Sequence, residues 1–448
     1  RGVRLVMQEL NLIGNLTASS LTIGKDASLH QNAASVISGE AVALTIQGNA
    51  WLRGANTYGG ATVVGVAGEH SHDTTVLHNL ALGTTDAGTT VIGGHASLYN
   101  RLTLAPGITL TGETLTLTGA GRAPLAYTNT SGSATWDGDI IAAPSALAFI
   151  SCIASGGTLI VGAPDTEAVI TGSADIQFRE SGNIICNSRI LLPGRTVIRN
   201  NSGLLLLNAT NNVMNAVQIA EGILRLGADN ALPDTVTISM GKSDNNTGNK
   251  AYFDLNGRTQ SISRFNESHY DAFTSAQAGC QCITSTLPAT LIFTGSATNA
   301  FLKRNSDFRG AVSVVQAGTG VLEIGQTNFT SGAFIVSNGV LRLNATGGSV
   351  GPNCTAVTVA GGTLELQNPA ALSPDVNVTF PADSTGVISI PHGVTVTAST
   401  LWFGDAQKRA GTWGASGSGA QYVDDTRFTG AGTLNVLHGN GGTLMTLQ

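Results

Sequence analysis

Short runs of alternating apolar and polar residues recur along the chain, and each run begins at a glycine. Three closely spaced copies occupy residues 320–324, 339–343 and 362–366, where an apolar or β-branched residue, a leucine, a charged residue and an aliphatic residue follow the glycine. Alternation over five residues predicts a half-buried strand. Because successive side chains of a strand face opposite sides, we expect the leucines to face a core and the charged residues to face solvent.

The spacing of these runs predicts a solenoid. Leu322, Leu341 and Leu364 are 19 and 23 residues apart, and a recurrence near this length is typical of stacked coils. We predict that these leucines form one apolar column. The predicted solvent-facing column beside it consists of Glu323, Arg342 and Glu365. Further copies of the run lie at residues 112–117, 157–161 and 222–226. At about 20–24 residues per coil, the chain would form about 17–20 coils.

The repeat also predicts the domain organisation. We predict an all-β chain with a single parallel β-helix over residues 1–400, and irregular loops near residues 240–290, where the alternation breaks. Residues 401–436 are predicted to form a C-terminal capping module. Residues 437–448 are predicted to be a tail strand that pairs with another molecule or frays.

A second motif combines asparagine, an aromatic residue and glycine directly before a strand. It reads Asn-Thr-Tyr-Gly-Gly-Ala-Thr-Val-Val at residues 56–64 and Asn-Phe-Thr-Ser-Gly-Ala-Phe-Ile-Val at residues 328–336, with a looser version at residues 306–314. Asparagine and glycine favour tight turns. We therefore interpret the motif as the turn that leads into each new strand.

These motifs resemble the autotransporter-associated β-strand repeat, also called the passenger-associated transport repeat. The family pattern is Asn-x-Tyr/Phe-x-Gly-x-Thr-x-Val followed by Gly-x-Leu-x-Leu, and residues 328–343 carry the resemblance over its whole length. Residues 252–263 resemble a further segment of such proteins. Residues 411–434 resemble the terminal module of large repeat proteins from verrucomicrobial and planctomycete-type bacteria. The resemblance implies a right-handed parallel β-helix that is exported and then displayed at the cell surface or released.

Composition and charge narrow the range of partners. Charged residues make up 11% of the chain, against about 25% in typical globular proteins, so outward faces should carry hydroxyl groups more often than ion pairs. The net charge of −6 provides no basic surface for nucleic acid. The sequence has no run of 18 apolar residues that would predict a membrane-spanning helix.

The five cysteines match no metal-binding spacing, and we predict no cofactor. Two interpretations stay open. The cysteines are small buried residues of a β core, or two of them form a disulfide in an exported protein. Cys280 and Cys282 are the best candidates for such a disulfide, because they lie in an irregular segment.

Histidines form the densest group of potential metal ligands in the sequence. The group consists of His70, His72, His78 and His95, together with Asp73. The His-x-His spacing would place the first two imidazoles on one side of a strand. The flanking residues fit a solvated loop, and no further ligand completes a set, so we predict no metal site.

Paired carboxylates are the remaining candidates for polysaccharide chemistry, because glycoside cleavage needs an acid and a base at a fixed separation. Asp137 and Asp139 would share one face of a strand, and Trp136 beside them could stack against a sugar ring. We therefore name Trp136, Asp137 and Asp139 as candidate glycan contacts. The other carboxylates considered are Asp254, Asp424 and Asp425, of which the last two lie in a sequence typical of a turn.

The sequence favours a non-enzymatic structural protein, a fibre, coat or adhesin subunit that is secreted or held at the cell surface. The alternative is a β-helix that binds or cleaves polysaccharide, with surface glycans as its partners. The chain begins Arg1-Gly2-Val3 rather than with methionine. We therefore expect a processed fragment of a larger precursor, or a deliberately cut piece of one.

The two ends of the chain predict self-association. The terminal coils of a parallel β-helix expose unpaired backbone groups that template pairing with another chain. A glycine-rich hinge at residues 439–442 precedes a candidate assembly strand. This strand consists of Thr443, Leu444, Met445, Thr446 and Leu447. Its addition to an edge of the next molecule would give a head-to-tail filament, and a frayed tail is the alternative.

Overall fold

The computed structural model describes residues 2–6, 8–67, 71–94, 99–119, 122–144, 147–241, 250–267, 281–302 and 306–440. These residues form strands, turns and bends and contain no helix. Parallel strands stack as a β-solenoid of about 15 turns. The prediction of an all-β parallel solenoid is confirmed. The chain divides into two compact units, Arg1–Ala231 and Leu232–Gln448.

The first unit contains strands β1 to β27. The first nine are Val3–Leu5, Glu9–Leu12, Leu16–Thr17, Ser20–Ile23, Ser28–Gln31, Ile37–Gly39, Ala43–Ile46, Asn49–Leu52 and Thr57–Tyr58. Strands β10 to β18 are Thr62–Val64, His72–Val76, Thr89–Ile92, Asn100–Leu104, Thr109–Thr111, Leu115–Thr118, Arg122–Tyr127, Ser133–Asp137 and Ile140–Ala142. Strands β19 to β27 are Leu147–Cys152, Thr158–Val161, Val169–Gly172, Ile176–Arg179, Asn183–Cys186, Arg189–Arg199, Leu204–Leu207, Val213–Ile219 and Gly222–Leu226.

Each turn in the middle of the first unit contributes three strands. Strands β15, β16 and β17 pair in parallel with β18, β19 and β20, and each pairing joins residues 25 positions apart. In the next turn, Ile140 pairs with Ile170, 30 positions later. The predicted 17–20 coils were too many, because loops lengthen these turns beyond the 19 and 23 residues from which the coil length was predicted.

Aliphatic side chains form a continuous interior column in the first unit. Pairing between successive strands stacks them directly, and none is more than 1% exposed. The column consists of Ile23, Ile46, Val64, Val91, Leu117 and Ala142. Burial of each larger member contributes about 1.5–3 kcal/mol.

The second unit contains strands β28 to β49. The first eight are Thr237–Met240, Ala251–Asp254, Thr259–Ile262, Arg264–Glu267, Gln281–Phe293, Asn299–Phe301, Ser306–Gln316 and Val321–Ile324. Strands β36 to β42 are Phe329–Thr330, Phe334–Val336, Val340–Leu343, Ala356–Val359, Thr363–Leu366, Asn377–Phe380 and Val387–Ser389. Strands β43 to β49 are Thr395–Ala398, Thr400–Phe403, Ala406–Gln407, Gly411–Gly414, Tyr422–Val423, Phe428–Thr429 and Thr433–Val436. The segment 240–290, which was expected as a loop excursion, thus contains β29 to β31 and most of β32. Most of its remaining residues lie outside the described residues.

The predicted leucine and charge columns of the second unit are both present. Strands β35, β38 and β40 pair so that Leu322, Leu341 and Leu364 stack, and all three are at most 1% exposed. On the outer face, Arg342 lies between two carboxylates. Its guanidinium is 2.5 Å from Glu365 and 3.5 Å from Glu323.

Phenylalanine rings fill part of the second unit's interior. Phe265 stacks on Phe301 at a centroid distance of 4.1 Å, and Phe301 lies 4.7 Å from Phe308. Phe308 then meets Phe334 edge to face at 6.1 Å. Aromatic rings prefer such offset and perpendicular arrangements, so successive turns are packed through one connected row.

The asparagine of the second motif is a buried bridge between turns. Asn328 accepts a hydrogen bond from the Phe308 N–H of the preceding turn and donates one to the Ser349 carbonyl of the following turn, both at 2.9 Å. Asn56 does the same between the Ile37 N–H and the Ala81 carbonyl, at 2.9 and 2.7 Å. The amide therefore satisfies a backbone N–H group of the preceding turn and donates to a carbonyl of the following turn.

The aromatic residue of this motif does not have one fixed position. Tyr58, two residues after its asparagine, is fully buried. Phe329 comes only one residue after Asn328 and is 47% exposed, while Thr330 is buried in its place. Strand alternation explains the difference, and it corrects the expected match of residues 328–343 to the family pattern at the aromatic position. The motif glycine is needed for close approach, since a Cβ on Gly332 would collide with the Val312 carbonyl.

Near its end, the second unit departs from parallel pairing. β44 and β45 pair antiparallel, as do β46 and β49. These strands fall within the segment that was predicted to form the C-terminal cap. The chain direction therefore reverses between these paired strands, unlike in the parallel turns before them.

Candidate functional site

Of the three candidate glycan contacts, Trp136 lies in the core, and Asp137 and Asp139 hydrogen-bond to a neighbouring loop. Trp136 is fully buried, so its ring cannot stack against a sugar at the surface, and this candidate contact is corrected by its burial. Asp137 accepts hydrogen bonds from the Ala163 N–H and the Thr166 hydroxyl, at 3.0 and 2.7 Å. Asp139 accepts one from the Val169 N–H at 2.9 Å. Both carboxylates hold the loop that follows β20.

A groove of about 430 Å³ lies along that loop. Among the described residues that line it are Asp165, Glu167, Asn187, Arg189 and Asn208. The two asparagines stack with an amide hydrogen bond of 2.7 Å. The described lining carries two carboxylates, one guanidinium and no aromatic ring, so it offers no stacking platform and only a small negative charge.

Strand β11 places two members of the histidine group, His72 and Asp73, on opposite faces. His72 is 8% exposed and faces the interior from β11. The adjacent Asp73 faces outward, 2.6 Å from the Arg101 guanidinium, and also accepts a 2.5 Å hydrogen bond from the Thr103 hydroxyl. His70 and His95 lie outside the described residues. Within the described part of the chain, no group of three or more His, Cys, Asp or Glu side chains is arranged to hold a metal ion.

The other candidate carboxylates cap turns. Asp254 accepts a hydrogen bond from the Asn256 N–H at 2.9 Å. Asp424 accepts one from the Thr426 hydroxyl at 2.6 Å, and Asp425 accepts one from the Ser416 N–H at 2.6 Å. These interactions satisfy backbone and hydroxyl groups locally. They do not hold two carboxylates across a common cleft, as glycoside cleavage requires.

Glu113 is a buried titratable group that we did not single out from the sequence. It is 4% exposed and accepts a 2.7 Å hydrogen bond from the Thr89 hydroxyl. Burial raises the pKa of Glu113 from its ordinary 4.5 to about 7, against the smaller lowering effect of that hydrogen bond. Alternation was the available signal, because Glu113 lies two residues before the buried Leu115 and therefore on the same face.

Arg199 is a second buried charge, and its role is structural. It is fully buried at the end of β24. Its guanidinium donates to the carbonyls of Phe178 and Glu180 in the preceding turn, at 2.9 and 2.8 Å, and to those of Asn200 and Gly203, at 2.5 and 3.0 Å. Burial lowers the pKa of Arg199 to about 10, so it remains charged at neutral pH. A planar donor with five N–H groups suits this cluster of carbonyls.

Each of the two interpretations made from the sequence applies to some of the cysteines. Cys152, Cys186 and Cys354 are free and buried. Burial raises the pKa of Cys152 to about 11 and that of Cys186 to about 12, so these thiols stay protonated and unreactive near neutral pH. Cys282 is disulfide-bonded, and its partner lies outside the described residues.

A cleft of about 540 Å³ near the end of the second unit is the strongest candidate site in the described part of the chain. Strands β45, β46 and β47 and the segment after β49 supply its walls. The described residues that line it are Gln407, Lys408, Arg409, Trp413, Tyr422 and Asn440. We define these six residues as the C-terminal cleft.

Packing fixes the aromatic wall of the C-terminal cleft. Trp413 and Tyr422 are paired neighbours on β46 and β47, and their rings stack at 4.7 Å with an interplanar angle of 28°. The Trp413 indole N–H donates to the Arg409 carbonyl at 2.9 Å. Phe403 packs edge to face against Trp413 at 5.7 Å. Both lining rings remain half-buried rather than fully covered.

The charge of the C-terminal cleft is positive. Lys408 and Arg409 line it, and no described lining residue is a carboxylate. The Lys408 ammonium lies 4.6 Å from the Phe403 ring centroid, which holds the Lys408 side chain against an apolar surface. The site therefore combines two cations, two aromatic rings and two amide side chains. Such a set can bind an anionic ligand with ring faces, and its described residues include no carboxylate.

Comparison with known proteins assigns no family to the chain. No family model, no curated protein and no solved structure matches the chain. The likeness to the autotransporter-associated repeat therefore rests on the residues of the two motifs alone. The described residues include no helix that is long and apolar enough to cross a membrane.

Proposed function

We propose that this protein is a non-enzymatic structural solenoid of the cell surface or the extracellular space, a fibre, coat or adhesin subunit. The observation that carries this proposal is the bridging of successive turns by buried amides. Asn56, Asn212 and Asn328 each accept a hydrogen bond from the turn before and donate one to the turn after. Turns tied in this way resist sliding and local opening, which suits a load-bearing element.

The disulfide at Cys282 supports an exported location. Disulfides persist in oxidising compartments and are rare in the reducing cytosol. Intact cells should therefore lose the protein to added protease if it is displayed at the surface. Protection of the protein in intact cells, with its absence from the culture medium, would contradict this location.

The N-terminal turn supports self-association of the subunit. Within the described residues, β1, β2 and β3 pair on one side only, with β4, β5 and β6. Exposed apolar side chains accompany this edge, with Val3 39%, Val6 56% and Ile13 81% exposed. Exposed apolar side chains favour contact with another protein surface, and we propose that the subunits associate head to tail.

Cleavage of polysaccharide is the competing function. A reducing-sugar assay over a panel of neutral and acidic polysaccharides distinguishes it from the structural role, because only hydrolysis or elimination generates new chain ends. We expect no release of reducing ends, and filaments or oligomers in electron micrographs of the purified protein. Sustained release that is lost in Asp137→Asn or Asp139→Asn would overturn the structural proposal.

A further inference from the structure

The C-terminal cleft has a second role that the structural proposal does not require. We propose that it binds an acidic saccharide, a pyranose unit that carries a carboxylate or a sulfate ester. Three independent features of the described residues lead to this ligand class: the aromatic wall, the uncompensated positive charge and the amide groups at the rim.

The aromatic wall provides the surface for the sugar ring. The C–H faces of a pyranose pack on aromatic rings, and Trp413 and Tyr422 present half-buried rings to the cleft. The Trp413 indole is already held by its hydrogen bond to Arg409 and by Phe403. Little conformational entropy would therefore be lost when a ligand stacks against it.

The two cations select for a negative ligand. Neither Lys408 nor Arg409 forms an ion pair within the described residues, whereas the nearby Arg427 is paired with Asp424 at 3.2 Å. The whole chain has a net charge of −6, so this local positive charge is opposite to the protein's overall sign. A carboxylate or sulfate placed beside the two cations would gain charge-assisted hydrogen bonds.

The rim of the C-terminal cleft matches a saccharide. The rings of Trp413 and Tyr422 contact each other at 4.7 Å, so a planar base cannot intercalate between them. Gln407 and Asn440 place two amide side chains at the rim. Amides donate and accept hydrogen bonds at once, which matches the hydroxyl groups of a sugar.

Isothermal titration of the full chain tests this proposal with five probes. Oligogalacturonate carries carboxylates, dextran sulfate carries sulfate esters, and dextran is a neutral saccharide. Poly-L-glutamate carries carboxylates without sugar, and single-stranded DNA is a polyanion with planar bases. We expect one or both acidic saccharides to bind, and the pair distinguishes a uronate site from a sulfate site. Dextran and poly-L-glutamate should bind at least about tenfold more weakly.

Matched variants link binding to the cleft. Lys408→Gln combined with Arg409→Gln should weaken binding by about tenfold or more, whereas Arg195→Gln with Lys250→Gln removes the same charge at exposed positions elsewhere and should not. Trp413→Leu should weaken binding by about fivefold or more, and Trp51→Leu should not. Should a cleft variant fail to fold, a salt titration of the unmodified protein replaces it, and affinity should fall between about 50 and 300 mM NaCl.

Three results would overturn the proposal. The first is the absence of binding to both acidic saccharides. The second is equal affinity for poly-L-glutamate or for single-stranded DNA, which would reduce the site to general attraction of polyanions. The third is binding that survives the double cleft variant unchanged.

Discussion

At the scale of single residues, the buried carboxyl of Glu113 makes the stability of the first unit depend on pH. Burial raises its pKa to about 7 from 4.5. Below pH 4.5 the group is protonated in both the folded and the unfolded chain, and above pH 7 folding must bury a charge. The stability contributed by the protonated group is therefore complete below pH 4.5 and lost as the pH rises through about 7.

Substitution of Glu113 by glutamine removes this dependence. Between pH 4.5 and 7.5, we expect the free energy of unfolding of the wild type to fall by about 3 kcal/mol relative to Glu113→Gln, at about 1.4 kcal/mol per pKa unit. Urea unfolding at a series of pH values measures the difference. Glu167→Gln, an exposed position in the same unit, is the control. Parallel pH profiles for wild type and Glu113→Gln would contradict the prediction.

The bridging asparagines predict a second effect at single residues. Asn328→Ala leaves the Phe308 N–H without its 2.9 Å acceptor. The Ser349 carbonyl loses the side-chain amide but keeps the Asn328 backbone N–H at 3.2 Å. Because one buried group is left unpaired, we expect a loss of about 1–3 kcal/mol in chemical denaturation. The exposed Asn353→Ala should change stability by less than about 0.5 kcal/mol. Equal losses in the two variants would show that Asn328 is not a bridge.

At the scale of the element, adjacent residues of one strand contribute very different amounts to the free energy of unfolding. Leu341→Ala removes a core side chain from β38 and should destabilise the second unit by about 2–5 kcal/mol. Arg342→Ala removes the centre of a half-exposed charge column, where pairs contribute up to about 1 kcal/mol each. Thermal unfolding at low and high salt measures the loss of stability in each of the two variants. Only the Arg342 effect should shrink with salt, and a salt-sensitive Leu341→Ala would contradict this division.

Strand alternation explains how much of the fold could be predicted. Leu322, Leu341 and Leu364 were assigned to a core column from sequence alone because period two fixes which face each side chain occupies. The same rule places Glu113 and Arg199 inside. We did not apply it there, since buried charges are rare unless they are paired or hydrogen-bonded, and their carbonyl and hydroxyl partners lie one turn away in the fold.

Strand alternation could not predict the candidate site. The C-terminal cleft joins residues from three short strands and from Asn440, and its shape depends on antiparallel pairings that break the repeat. Trp136 is the reverse case, a contact that the sequence suggested and the structure does not support. A tryptophan beside two carboxylates suggested a sugar contact, but alternation along β17 turns Trp136 inward and Asp137 outward.

At the scale of the whole molecule, the predicted head-to-tail assembly depends on which residues before the candidate assembly strand are packed. Residues 439–442 were expected to form a flexible hinge, but the first part of this segment is packed. The His438 N–H donates to Ser399 and the Asn440 N–H to Lys408, at 2.8 and 3.3 Å. A Cβ on Gly439 would collide with the backbone of Ala410. The candidate assembly strand, Thr443, Leu444, Met445, Thr446 and Leu447, lies outside the described residues.

A deletion that tests assembly should therefore begin after Asn440. Removal of residues 441–448 spares the C-terminal cleft and takes away only the candidate assembly strand. If that strand adds to β1, β2 and β3 of another molecule, the deletion should abolish oligomers in light scattering, with no change in the far-UV circular dichroism spectrum.

Ile13→Lys tests the surface that would receive the strand. It places a charge on an 81% exposed position near β1, β2 and β3 and should weaken assembly. Thr395→Lys, at an exposed position of β43 in the second unit, is the control. Oligomers that persist after both the deletion and Ile13→Lys would exclude strand addition between these two ends, because a heterologous contact needs both of its surfaces.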